Sequence, residues 1–144
     1  MALALLTADT YDDADPQIWE KVQTAFAEAL GLEEDEVELQ HRIIEELDAE
    51  SLDFLDIAFR LERAFDIKVP RGGIETAAKE GVDEGDYEVD GVLTAMAIAK
   101  LSEALPELPA GELHVGLRTT EVPELFRVAT FYNLVVRLIN EKSA

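Results

Sequence analysis

Hydrophobic residues recur at helical spacing in several stretches of the chain, and polar signals mark where those stretches begin and end. Asp15-Pro16 is a typical helix start, because aspartate caps free N–H groups and proline suits the first helical position. Gly31 supplies the stop, since glycine tolerates the left-handed backbone that often follows a helix. The pattern therefore predicts a first helix over about 16–30. Its apolar stripe is Ile18, Val22, Ala25, Phe26 and Ala29.

A second amphipathic stretch predicts a helix over about 51–65. Successive helical residues are about 100° apart, which groups the side chains into three sets. The set expected to reach the core is Phe54, Ile57, Ala58, Leu61, Ala64 and Phe65. A polar face holds Asp53, Asp56, Arg60 and Arg63. The third set, on the side nearer Ser51, is Leu52, Leu55 and Phe59. This set is either more core or an apolar strip that partner proteins or another part of the chain would cover.

The remaining segments are predicted less sharply. An acidic connection over 32–46, with isolated apolar anchors, is expected to form short helical turns at most. After Pro70 and the hinge signal Gly72-Gly73, hydrophobic spacing predicts a helix over 87–105 and a short extended piece over 113–117. A short helix is expected around Pro123, followed by a last helix over 131–140 that Thr130 caps. The first 14 residues are expected to form a loosely held leader.

Charge narrows the choice of partners. The 144-residue chain carries a net charge of −20, and the part up to Pro70 holds 19 of the 32 acidic residues but only 5 of the 12 basic ones. Such a field repels nucleic acid and anionic membrane surfaces and attracts basic proteins. The apolar opening Ala2–Leu6 is too short for a signal peptide, and we expect no integral membrane segment. A soluble cytoplasmic protein is therefore expected.

Residue chemistry argues against catalysis. The chain has no cysteine, so any thiol that it uses must come from a prosthetic group. Ser51 has no His, Cys or Lys within 46–56 that would activate it, and it lacks the sequence of a nucleophile elbow. Asp86 to Gly91 imitates the start of a calcium loop, but the twelfth position is Ala97 rather than a bidentate glutamate. We therefore expect neither an enzyme nor a metal site.

The chain resembles the acyl carrier protein family at several points in the family's order. The motif Leu47-Asp48-Ala49-Glu50-Ser51-Leu52 resembles the family's modification site. Leu30-Gly31-Leu32 and the sequence from Phe65 to Pro70 resemble its first helix end and second helix exit. Val128 to Val136 is similar to its last helix. The run Ser51 to Phe59 looks especially like specialised carriers of very-long-chain hydroxyacyl groups for lipid A.

The resemblance implies an all-α fold and a site. The fold would be an antiparallel four-helix bundle in one domain over 1–144, with its core over about 16–71 and 122–142 and a partly helical insertion over about 72–121. Ser51 would carry 4′-phosphopantetheine, added by a phosphopantetheinyl transferase, and the arm would hold an acyl chain. A monomer would then meet basic docking patches on fatty-acid or lipid-synthesis enzymes. The recognition residues implied are Glu50, Leu52, Asp53, Leu55, Asp56 and Phe59, with Glu46 as a further candidate acid.

Departures from the family pattern leave alternatives open. Asp48 stands where the family usually has glycine and Glu50 where it has aspartate, while Arg60 and Arg63 add positive charge to an acidic face. The helix expected in the insertion either belongs to a decorative subdomain or lies beside Leu55 and Phe59 and enlarges an acyl pocket. The competing function is a degenerate carrier fold that acts only as an interaction module, with Ser51 as an ordinary N-cap.

Overall fold

The structure of the protein, a computed structural model that describes residues 3–69, 87–109 and 111–143, is mostly helical. The helices of this part of the chain are α1 (Pro16–Leu30), α2 (Ser51–Phe65), α3 (Ala95–Ala104), α4 (Val122–Leu125) and α5 (Val128–Ser143). Two short strands, β1 (Glu88–Val89) and β2 (Val92–Leu93), form an antiparallel hairpin. Single 3₁₀ turns lie at Tyr11–Asp13, Glu34–Glu36 and Thr119–Glu121.

Helix α1 has the predicted bounds because both predicted end signals are used. The Asp15 carboxylate accepts hydrogen bonds from the N–H groups of Gln17 (2.9 Å) and Ile18 (3.3 Å). At the other end Gly31 adopts the left-handed conformation, with φ of 70°. A residue with a β-carbon would be strained there. Local capping therefore fixes the length of the helix that lies beside α2.

Three aromatic rings join α1, α2 and α5 in one core. Phe131 of α5 meets Phe26 of α1 edge to face at 5.6 Å between ring centroids. On its other side Phe131 stacks on Phe54 of α2 at 5.9 Å. Of the residues predicted to face the core from α2, Ile57 and Leu61 are fully buried, whereas Ala64 is exposed. Ala64 lies at the margin of the predicted face, where its carbonyl accepts a hydrogen bond from the Lys21 side chain of α1 at 3.3 Å.

The stretch before α1 is held firmly, so the expectation of a loosely held leader is wrong. The fully buried side chain of Asn133 accepts a hydrogen bond from the Leu6 N–H (2.7 Å) and donates one to the Leu6 carbonyl (2.9 Å). Asn140, two turns further along α5, makes the same pair of bonds with Leu3, at 2.9 and 3.0 Å. Each side-chain amide thus binds both the N–H and the carbonyl of one leucine, as the backbone of a neighbouring strand would. These bonds hold Leu6 in the core, where it is buried.

The helix predicted over 87–105 is half as long as expected, because its first part is the β hairpin. Asp90 and Gly91 form the hairpin turn with φ of 53° and 80°. Positive φ at both central residues is the type I′ geometry that matches the twist of the strands and favours Asp-Gly. Thr94 then caps α3 by accepting the Ala97 N–H at 3.1 Å. The Asp-Gly pair therefore forms the centre of a hairpin turn; Asp86, which opens the calcium-loop pattern, lies outside the described residues.

The chain after α3 also departs from prediction. No extended piece spans 113–117 in the described chain; instead Leu117 accepts the Leu93 N–H at 2.9 Å, and Thr119 donates to Gly91 at 3.0 Å, beside β2. Helix α4 is present near the predicted place. Helix α5 begins at Val128, so Thr130 lies inside it, where its hydroxyl accepts the Arg127 N–H at 3.0 Å.

Helix α3 and its exit contact the first segment of the chain and α5. Arg137 donates to the Ala104 carbonyl, Ala8 donates to Pro106 at 3.1 Å, and the Tyr11 hydroxyl donates to the Glu107 carbonyl at 2.6 Å. Leu55 and Phe59 of α2 remain 54% and 51% exposed. The hypothesis that this helix covers those two side chains is therefore wrong.

None of the helices that the structure describes is long and apolar enough to cross a membrane.

We predict that Asn133→Ala lowers the free energy of unfolding by about 2–4 kcal/mol, because it leaves the buried polar groups of Leu6 and Glu107 without partners. The Asn133 amide also donates to the Glu107 carboxylate at 2.9 Å, so the substitution removes this hydrogen bond as well. Urea denaturation followed by circular dichroism measures the change. Asn140→Ala is the matched control, since it removes the same chemistry from a partly exposed position, and we expect a loss below about 1.5 kcal/mol. Equal losses at both positions would contradict the prediction.

Candidate functional site

The site begins where the acidic connection meets α2. Ser51 is the first residue of the helix, and Glu50 occupies the cap position with an extended backbone. The Asp53 carboxylate turns back and accepts the Glu50 N–H at 2.8 Å. Ser51 is therefore not the N-cap, which contradicts that part of the interaction-module hypothesis. Asp53, expected to meet partners, also stabilises the start of the helix.

Backbone hydrogen bonds fix the connection before Ser51. The Ala49 N–H donates to the Ile43 carbonyl (3.1 Å), and the Ile43 N–H donates to the Phe126 carbonyl (3.0 Å). Ala49 and Ile43 are both buried. The start of α2 is therefore tied, through the connection, to the segment that leads into α5.

Asp48 has a left-handed backbone with φ of 58°. Glycine adopts this conformation without strain, whereas residues with a β-carbon adopt it at a cost and Asp and Asn tolerate it best. The departure from the family's glycine is thus a conservative one for the backbone. The turn before Ser51 therefore keeps a backbone conformation that glycine favours.

Leu52, Leu55 and Phe59 form an exposed apolar strip, and we use that name for these three residues. They are 78%, 54% and 51% exposed. The reading in which they belong to the core is therefore wrong. Placed one, four and eight residues after Ser51, they follow one side of α2 away from the residue that starts it.

The predicted acids lie around this strip but are not equally free. Asp56 accepts a hydrogen bond from the Arg60 Nε at 3.1 Å, so the expected pair four residues apart is present. Arg60 also approaches Glu28 of α1 at 3.4 Å. Glu50 is exposed. Asp53 and Glu50 share a reciprocal capping box, so local hydrogen bonding uses part of the negative charge of all three acids.

Glu46 also accepts a hydrogen bond from within the chain, through the backbone N–H of Arg42 at 2.9 Å.

An ionic cluster that supports the site was not predicted from the sequence. Arg127, which is buried, donates to Glu112 through both of its terminal nitrogens, once at 2.9 Å. Arg42 of the acidic connection reaches the same Glu112 at 3.3 Å and Glu45 at 2.8 Å. The bond to Glu45 raises the pKa of Arg42 above its ordinary value. No local pattern joins residues so far apart in sequence, so only the folded chain reveals the cluster.

The geometry is that of an exposed helix start that presents a serine position beside apolar surface. A family model described as a phosphopantetheine attachment site matches residues 20–74, which include α2 and the connection. The class of protein is therefore that of carriers that bear phosphopantetheine as a prosthetic group.

Comparison with known relatives identifies the family within this class of carriers. The acyl carrier protein of Borrelia garinii subsp. bavariensis is 39% identical over 70 residues, covering 49% of this chain and 82% of that protein. The acyl carrier protein of Campylobacter lari is 36% identical over 62 residues, covering 43% and 80%. No solved structure gave a significant match. The chain belongs to the acyl carrier protein family, whose members are carriers rather than enzymes and bear 4′-phosphopantetheine.

The start of α2 fits such a group. The first N–H groups of a helix and its dipole favour an anion such as a phosphodiester. The residues on both sides of position 51, Glu50 and Leu52, are exposed, which leaves room for a bulky attachment. Glu50 and Asp53 oppose the anion electrostatically, but solvent screens charges at such an open surface.

We predict that Asp48→Gly raises the free energy of unfolding by about 0.5–1 kcal/mol, because it removes left-handed strain that exceeds glycine's entropic cost. Urea denaturation is the measurement. The matched control is Asp35→Gly, made in the 3₁₀ turn Glu34–Glu36, where the backbone has no positive φ and glycine should only destabilise. A loss of stability for Asp48→Gly would refute the strain argument.

Proposed function

We propose that Ser51 carries 4′-phosphopantetheine and that this chain transports an acyl group as a thioester in fatty-acid or lipid synthesis. The observation that carries the proposal is the place of Ser51 as the first residue of α2, inside the matched region and beside the exposed apolar strip. The arm supplies the thiol that holds the acyl group, which the chain cannot supply because it has no cysteine.

Attachment requires a partner transferase. In the proposed reaction the Ser51 oxygen attacks the β-phosphorus of coenzyme A in the active site of a magnesium-dependent phosphopantetheinyl transferase. A phosphodiester bond forms, the serine proton is lost and adenosine 3′,5′-bisphosphate leaves. The chain contributes the serine at position 51 and the helix terminus that favours the new anion.

The carrier is proposed to be a single four-helix domain. Its core would comprise about 16–71 and 122–142, and an insertion over about 72–121 would separate the second helix from the third. The ring contacts among Phe26, Phe54 and Phe131 support one shared core. In this arrangement α1, α2, α4 and α5 are the four helices, and the hairpin with α3 belongs to the insertion.

Partner enzymes are proposed to recognise the surface around Ser51. The acids Glu50, Asp53 and Asp56 would meet basic patches, and Leu52, Leu55 and Phe59 would add apolar contact. Charge of this kind speeds encounters and makes them sensitive to salt more than it tightens binding. The resemblance of Ser51 to Phe59 to specialised carriers makes a long or unusual acyl chain the finer form of the proposal.

Ser51→Ala tests attachment directly. After incubation with coenzyme A, magnesium and a broad-specificity transferase, we expect intact mass to increase by one arm in the original chain and not in the variant. The fold should tolerate the change within about 0.5 kcal/mol, because alanine is a good helix former and the cap is Glu50 rather than Ser51. Circular dichroism checks this. If several transferases all fail to add the arm to the wild-type chain, the result would favour the interaction module.

Asp56→Lys tests the docking role of the acids. We expect acyl transfer by a partner synthase to slow roughly 3–10-fold at low salt and to lose part of its salt dependence. The lost pair with Arg60 and the new like-charge pair of Lys with Arg60 should together cost only about 0.6–1 kcal/mol, so the fold persists. Glu141→Lys changes net charge equally at the exposed end of α5 and is the control. Equal slowing by the two variants would assign the effect to net charge rather than to docking.

A further inference from the structure

One carboxylate from the chain after α3 binds two arginines that belong to different segments. Glu112 accepts hydrogen bonds from both terminal nitrogens of Arg127, and Arg42 reaches it at 3.3 Å. Arg127 is buried and Glu112 is largely shielded from solvent, whereas the Arg42 side chain is 29% exposed. Charge-assisted pairs at shielded positions are stronger than pairs on an open surface, and removal of one partner leaves the other charge uncompensated.

The two arginines lie opposite each other across a short backbone pairing. Arg42 and Arg127 form an antiparallel bridge. The Val128 N–H donates to the His41 carbonyl at 3.1 Å and continues the pairing. Like charges directly opposite each other in such a pair repel and destabilise it. Glu112 contacts both guanidinium groups, so its negative charge offsets this repulsion.

Arg42 also organises the turn that precedes α2. Its carbonyl accepts the Glu46 N–H at 3.0 Å and the Leu47 N–H at 3.2 Å, and its own N–H donates to the Glu46 carboxylate at 2.9 Å. The next residue, Ile43, accepts the Ala49 N–H at 3.1 Å. Displacement of Arg42 would therefore loosen the turn that leads directly into the helix.

The conformation of this turn bears on attachment because α2 begins at Ser51. A transferase must align the attacking serine oxygen with the phosphorus of coenzyme A, and small errors of position slow such a step strongly. A turn that samples several conformations offers the competent one only part of the time, and the apparent affinity of a partner falls by the same fraction. A contact that holds Arg42 in place therefore raises the fraction of chains that a transferase binds productively.

We propose that Glu112 is a positioning residue for Ser51: it holds Arg42 beside Arg127 and so keeps the turn before α2 in the conformation that the transferase binds. The inference rests on the proposed function, because it concerns attachment of the arm at Ser51. Glu112 belongs to the insertion proposed over about 72–121. The insertion thereby supports the modification site through one carboxylate and leaves the exposed apolar strip uncovered.

Arg42→Gln tests the link at its more exposed end. The substitution leaves the buried pair of Arg127 and Glu112 in place, so the fold should persist, and circular dichroism checks this. We expect amide hydrogen exchange at Leu47 and Ala49 to become roughly 3–10-fold faster and the transferase KM for the chain to rise by the same factor, with kcat unchanged. The inference requires both changes, and the absence of either would overturn it.

Arg118→Gln is the matched control. It removes the same charge from an exposed residue beside β2 and should leave both the exchange rates and KM unchanged. Net charge alone would act in the opposite direction, because a more negative chain attracts a basic docking patch more strongly. An equal rise of KM in the two variants would therefore contradict the positioning role.

A double-mutant cycle tests whether Glu112 acts through Arg42. Glu112→Gln leaves two arginines opposed without a carboxylate between them, and we expect it to raise KM at least as much as Arg42→Gln does. The double variant should show little further rise, because residues that act through one contact are not additive. Additive effects would overturn the inference. If Glu112→Gln does not fold, Glu112→Asp, which keeps the charge but shortens the reach to Arg42, replaces it in the cycle.

The two levels of proposal fail differently. If no mass is added to the wild-type chain, the carrier function is wrong, and the positioning role for a transferase is wrong with it. If the arm is added with the same KM to the wild-type chain and to Arg42→Gln, the carrier function stands and Glu112 has only a structural role.

Discussion

The contact of Phe131 with Phe26 on one side and Phe54 on the other is the interaction on which the site depends. It joins helices from the two ends of the sequence and fixes α2 against a rigid neighbour. Because α2 is fixed, its opposite side can remain apolar and exposed without the helix turning inward to bury it. The same rings thus stabilise the fold and keep the surface beside Ser51 available.

Local rules predicted the helices that carry the site. The carboxylate cap at Asp15, proline at the first position and Gly31 at the end gave α1 its bounds, and apolar periodicity gave those of α2. The hairpin was mistaken for helix because Val89, Val92 and Leu93 also fit helical spacing. The signal that should have decided was Asp90-Gly91, whose preference for positive φ is incompatible with a helix interior.

Features that depend on distant residues were beyond sequence reasoning. Periodicity placed Leu52, Leu55 and Phe59 on a separate side of α2, but only the positions of α3 and α5 show that nothing in the described structure covers them. Two asparagines of α5 bind the backbone of Leu3 and Leu6, and Arg42 and Arg127 both bind Glu112. No local sequence pattern links these residues. The site's chemistry is therefore local in sequence, whereas its exposure and support come from the whole fold.

The aromatic contact also sets an order of events during synthesis. Phe26 and Phe54 emerge from the ribosome early, but the ring that packs between them belongs to the last helix. Contacts between residues far apart in sequence form slowly, since a long loop must close first. The first two helices must therefore persist as an unfinished pair while the residues between α2 and α5 are translated, with their aromatic side chains in water. A nascent chain of this kind is open to chaperone capture or aggregation.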